Sequence, residues 1–183
     1  MGGKVIMAMT LITTNTETNA TSSSFTSSID STYKLYIFKF YDVNPATDNA
    51  RFTFNGSIDG GSNYNVTKTT TVFEAHHDEA DSATGLAYHT DRDLAQGTGY
   101  QDLTQATGNG ADESCAGTLW LFNPSNTTYV KHFYGTIPNL HGDEYNWNQW
   151  VAGYFNNTDN IDAIDFKMSS GNMDAVIKMY GVG

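Results

Sequence analysis

The stretch from Ile29 to Val66 constrains the fold more than any other part of the chain. From Tyr33 to Tyr41, Tyr36, Phe38 and Phe40 share one side, with Leu35 and Ile37 on the other, flanked by Tyr33 and Lys39. Alternation of period two is the mark of a strand, whose successive side chains point to opposite faces. Both faces are apolar near the middle, which predicts a central strand covered on both sides. Asn44-Pro45-Ala46-Thr47-Asp48 ends the run, because proline lacks a ladder donor and restricts the residue before it. Ala50 to Ile58 alternates again with Phe52 and Phe54 together, Asn55-Gly56 is a candidate bulge, and Asp59-Gly60-Gly61-Ser62 reads as a tight turn. Strand, turn, strand, turn, strand predicts antiparallel β structure.

The rest of the chain follows the same style. Lys4 to Ile12 places Val5, Met7, Met9 and Leu11 on one face, the pattern of a half-buried strand. Thr13 to Ser28 is a Ser/Thr/Asn tract anchored only by Phe25, so residues 1–28 read as an N-terminal arm or an edge strand. Residues 76–114 are polar and glycine-bearing and read as a long loop insertion, the kind of segment that carries contacts or function. Gly117 to Phe122 sets Leu119 and Leu121 against Trp120 and Phe122. Ile137 to Asn146 reads as a second polar loop, and Trp147 to Phe155 as a strand with Trp150, Ala152 and Tyr154 on one face. Ile161 to Met168 aligns Ile164, Phe166 and Met168, and Asp174 to Tyr180 closes the chain. Roughly eight to ten strands separated by turn chemistry predict an all-β protein. The expected architecture is one antiparallel β-sandwich domain over residues 1–183, jelly-roll-like, with one long irregular insertion.

The 183 residues suffice for one domain with a substantial core. Nine Lys and Arg against 20 Asp and Glu leave a net charge of −11, which repels phosphate backbones and anionic lipid, so neither nucleic acid nor membrane insertion is expected. Cys115 is the single cysteine, so no internal disulfide can form; its place at the start of an apolar run predicts a small buried residue.

Motifs for catalysis are absent: there is no P-loop, G-x-S-x-G, H-E-x-x-H or paired C-x-x-C. His76-His77-Asp78-Glu79 is dense in ligand-type residues, but neighbours in a strand face opposite ways, so the two histidines do not share an ion, and no metal or other cofactor is expected. Glu74, Glu79, Glu113 and Glu144 are carboxylates of the kind a glycosidase pairs across a cleft, and they are read as surface acids. The better binding candidates are aromatic and histidine residues beside the two polar segments: Tyr88, His89 and Tyr100 in the first, Tyr145, Trp147 and Trp150 at the second. Such rings beside Asn and Asp suit sugars, and equally suit core packing or a subunit interface.

Several blocks together resemble small virion proteins of aquatic tailed bacteriophages. They are Ile29-Asp30-Ser31-Thr32-Tyr33, Asn44-Pro45-Ala46-Thr47-Asp48, Asp59 to Asn65, Ala75 to Ala80, Asp93-Leu94-Ala95-Gln96, Leu121 to Ser125 and Phe166 to Asn172. The resemblance spans nearly the whole chain and carries no catalytic residues. It implies a non-enzymatic structural protein on the virion exterior, assembled in the host bacterial cytoplasm. A tail fibre or similar appendage component, with host-surface adhesion, is the first station it implies; a capsid decoration protein is the alternative, and a glycan-binding or glycan-cleaving module a third. The implied partners are further copies in a homotrimer, other virion proteins and host surface glycans.

Overall fold

The computed structural model describes residues 8–183 and contains strands, with no helix among the described residues. Twelve strands form two antiparallel sheets. The chain order is β1 (Met9–Ala20), β2 (Ser23–Phe25), β3 (Leu35–Pro45), β4 (Phe52–Ser57), β5 (Lys68–Asp78), β6 (Thr84–Tyr88), β7 (Gln101–Asp102), β8 (Cys115–Phe122), β9 (Lys131–His141), β10 (Tyr145–Phe155), β11 (Ala163–Met168) and β12 (Met173–Val182). Eight strands make the large sheet in the order β1-β12-β3-β8-β9-β10-β5-β6, and four make the small sheet in the order β2-β11-β4-β7. The chain passes repeatedly between the sheets, as expected for a sandwich.

Alternating apolar residues build the core between them. Tyr36, Phe38 and Phe40 of β3 and Ile177 and Met179 of β12 meet Phe52 and Phe54 of β4 and Ile164 and Phe166 of β11, all at most 2 % exposed. Phe166 is the hub. Its ring packs against Phe25, Phe38, Phe40, Phe52 and Phe54, with centroids 5.1–6.4 Å away. Phe25 thereby fixes the Ser/Thr-rich tract, which is ordered as β1 and β2, the edge strands of the two sheets.

Three local readings are corrected. Val5 and Met7 lie outside the described residues, and Met9 and Leu11 point outward, 48 % and 50 % exposed. A register shift between Leu11 and Thr13 turns Ile12 toward the core in their place. Asn55-Gly56 makes no bulge, since β4 pairs with β11 in unbroken register from Phe52 to Ser57. Glycine is needed there because a Cβ would sit 2.8 Å from the buried Phe155 ring. Ile137 to Asn146 is no loop: β9 continues to His141 and β10 begins at Tyr145, joined by a turn in which Glu144 N bonds His141 O at 2.9 Å. Polar Asn139 and His141 disguise the strand because the inward face is itself polar at this end.

Residues 76–114 hold the end of β5, then β6 and β7, with irregular chain elsewhere. Four small-sheet strands are too narrow to cover eight, and residues 101–108 fill the difference. Leu103 is fully buried, and backbone bonds from Leu103 N to Phe52 O (2.7 Å) and from Thr107 N to Ala50 O (2.8 Å) lay this run along β4. Other loop segments cover the outer side of the small sheet, where Thr53, Asn55, Ser57 and Asp165 are buried. Asn55 donates to Tyr64 O (2.6 Å) and Thr98 O (3.0 Å), tying two loops to that surface. Double coverage therefore belongs to β4 and β11. On the outer side of β3, Ile37 is shielded by its cross-strand neighbours Tyr180 and Trp120, and no further layer of the described residues packs on it.

Candidate functional site

The six positions singled out by sequence fall in three places. His89, Tyr145 and Trp147 meet at one end of the large sheet, on its inner side. Register builds this cluster. Trp147 of β10 stands opposite Asn139 of β9 and His76 of β5, and Gln149 opposite Ile137 and Glu74. His76 lies against Trp147 with centroids 4.7 Å apart, Tyr145 is 5.9 Å from His76, and His141 is 6.0 Å from Trp147. Gly85, the neighbour of His76 on β6, makes room for the imidazole: a Cβ there would lie 2.5 Å from the ring.

Below these half-exposed rings lies Glu74, 1 % exposed. His76 Nδ1 is 3.3 Å from both of its oxygens, and His89 Nε2 is 3.4 Å from Oε1. His76 Nδ1 is thus at hydrogen-bond distance of both oxygens, whereas His89 Nε2 stands within ion-pair reach of Oε1 and has no hydrogen-bond partner among the described residues. Deeper still, Gln149 donates to Asp102 O (3.0 Å) and Asn139 to Ala106 O (3.0 Å), clamping the 101–108 cover onto the sheet. Asp102 pairs with Arg51 (2.9 Å) and Arg92 (3.5 Å), yet burial raises its pKa above the ordinary range against the pull of both guanidiniums. Gln149 Oε1, Asn139 Oδ1 and Trp147 Nε1 are buried without hydrogen-bond partners among the described residues. No group of three or more His, Cys, Asp or Glu among the described residues is arranged to hold a metal ion. His77 points to the opposite face, 2.6 Å from Asp78 O. Glu79 and Glu144 sit at the strand ends, joined by a backbone bond of 3.1 Å, and Glu113 turns back onto Gly110 N in its own loop. The four glutamates thus fall in three settings, with Glu79 and Glu144 neighbours at adjoining strand ends.

Trp150 and Tyr88 lie on the other side of the same sheet, the outer face. Trp150 stacks on Phe73 (5.1 Å, 13° between planes), and Tyr88 stands opposite Phe73 on β6. Trp120 stacks on Tyr134 (4.5 Å, 14°), and Phe122 lies parallel to Tyr134 at 5.9 Å. Phe73, Tyr88, Phe122 and Tyr134 are 37–51 % exposed. A groove of about 330 Å³ runs beside Tyr134 and Tyr154, floored by Ala152 and Gly153. Sequence reasoning passed over Phe73, Trp120 and Tyr134 as site residues. Their alternation against buried neighbours was readable, but which face would stay uncovered was not.

Tyr100 belongs elsewhere. It donates to Asp165 Oδ2 (2.8 Å) within the cover of the small sheet, with Lys167 Nζ 4.0 Å over its ring. Burial and the facing carboxylate push its phenol pKa up. Its role is to satisfy a buried acid.

Comparison with protein families, curated proteins and solved structures finds no match for this chain.

Proposed function

We propose that this chain is a non-catalytic structural component of the exterior of a tailed bacteriophage particle, working by surface contact and copy number. The observation that carries the reading is the outer face of the large sheet, which leaves aromatic side chains of β5, β6, β8 and β9 open to solvent. Exposed apolar surface of this kind marks an interaction site. The sequence resemblance to phage virion proteins supplies the setting, and the acidic body suits solubility at high copy number. The buried acids fit a structural role: Glu74 is engaged by two imidazoles and Asp102 by two guanidiniums, so neither stands opposite a free carboxylic partner. An appendage station is the first reading and capsid decoration the second. Contact with host glycans adds to either through multivalency.

Gold-labelled antibody against the chain, applied to intact particles, tests the proposal. Label on fibres or the tail tip at a few dozen copies or fewer is expected. Label over the whole capsid at hundreds of copies selects the decoration reading, and particles lacking the protein overturn both.

A further inference from the structure

The outer face carries a relief that fits itself. Two neighbouring rows of cross-strand residues define it. In the first, Trp120 and Tyr134 are followed by Ala152 and Thr71; in the second, Thr118 and Thr136 are followed by Trp150 and Phe73. Over β8 and β9 the first row is high and the second low. Over β10 and β5 the heights are reversed. A two-fold axis lying in the face, between the rows and perpendicular to the strands, lays each high pair over the other copy's low pair. We propose that two copies of this chain pack through this face, large sheet on large sheet, as an isologous pair.

Three further observations favour a second copy as the occupant. The face spanned by β3, β8, β9, β10, β5 and β6 covers on the order of 700 Å² at ordinary strand spacing and rise, close to the roughly 800 Å² per partner of a standard interface. Its charge is also segregated. In a chain with 20 acidic residues, the outward positions of these strands from Leu35 to Tyr41, Thr118 to Phe122, His132 to Leu140, Asn146 to Tyr154 and Thr69 to Ala75 include no carboxylate. Lys39 is the one fixed charge at these positions and its ammonium lies 5.9 Å from the Tyr180 ring of β12, while the Asp93 carboxylate accepts from Tyr88 at the β6 rim, so burial of the face between them meets little of the repulsion that a net charge of −11 imposes elsewhere. Finally, two ring pairs each close one face of their members: Trp120 on Tyr134 and Phe73 on Trp150 are near parallel, 14° and 13°. Stacking a sugar needs free ring faces, whereas paired ridges with gaps between them interdigitate as facing sheets do. The symmetry is two-fold, in place of the trimer expected from the habit of phage appendages.

The pairing does not depend on the virion reading, and its test is separate. Sedimentation equilibrium of the intact chain from micromolar to millimolar concentration is expected to give twice the 20.1 kDa chain mass. Ala152→Arg and Thr71→Arg, at exposed positions in the low part of the relief, are expected to weaken association by at least about tenfold with unchanged near-ultraviolet circular dichroism. Thr16→Arg, on the outward side of edge strand β1, is expected to leave the mass unchanged. A wild-type chain that stays at 20.1 kDa throughout overturns the proposal. So does association equally tight in Ala152→Arg, which would place the contact on another face. A monomer whose tryptophan fluorescence shifts on adding neutral oligosaccharide would assign the face to glycan and likewise overturn the pairing.

Discussion

Lys68 shows what burial does to a single charge. It is fully buried, and its ammonium reaches the backbone oxygens of Val66 (3.1 Å) and Gly99 (2.6 Å), with no carboxylate paired to it among the described residues. Desolvation lowers its pKa from 10.5 to about 7. Between those values the unfolded chain holds a proton that the folded chain has released, so stability rises with pH across the window. The slope is at most about 1.4 kcal/mol per pH unit, and below the folded pKa the penalty is present in full. Urea unfolding at a series of pH values should show this rise in the wild type and lose most of it in Lys68→Met. An unchanged slope in the variant would exonerate Lys68. Tyr100 gives the complementary case. Tyr100→Phe leaves Asp165 Oδ2 without its phenolic donor while Ser24 still serves Oδ1, and is expected to lower stability by about 1–3 kcal/mol, measured by the same unfolding.

At the scale of elements, coherence comes from strands whose two faces differ. β11 turns Ile164, Phe166 and Met168 to the core and Asp165 and Lys167 to the loop cover. Phe166→Ala removes the ring that five others share, and a loss of about 3–5 kcal/mol is expected in equilibrium unfolding. Gly56→Ala tests a different limit, because its Cβ would meet the Phe155 ring at 2.8 Å in a packed core; overpacking should lower stability by about 1–3 kcal/mol. These strands were legible because aromatic and aliphatic residues alternate with polar ones along them, although the loop cover buries both faces. The turn end of the β9–β10 hairpin was not, since Asn139, His141, Tyr145 and Trp147 place polar and aromatic groups inward, and Asn139 is received by Ala106 O of the run that follows β7. Alternation of polar with polar leaves no period to read.

Over the whole molecule, unequal sheets set the pattern of stability. β3 lies between β12 and β8 in the large sheet, with Phe38 and Phe40 at most 2 % exposed, whereas β6 is a five-residue edge strand with Leu86 74 % exposed. Amide exchange should therefore be slowest at Phe38, Phe40 and Ile177 and fastest at Thr84–Tyr88. Uniform protection of β6 would mean that a partner covers that edge, and protection that rises with protein concentration would locate the contact directly.

Local side-chain chemistry alone determined that this chain forms antiparallel strands and that Phe38, Phe52, Phe54 and Phe166 face a common interior, because alternation and turn residues act over a few positions. It also marked Tyr88, His89, Tyr100, Tyr145, Trp147 and Trp150 as polar-edged rings worth following. Only the tertiary structure decided where each one went. Strand order across the sheets is set by pairings between distant segments, and it placed Trp147 beside His76, Trp150 against Phe73 and Tyr100 under Asp165. The same long-range pairing made one sheet twice as wide as the other, and so decided which apolar face is left open to solvent.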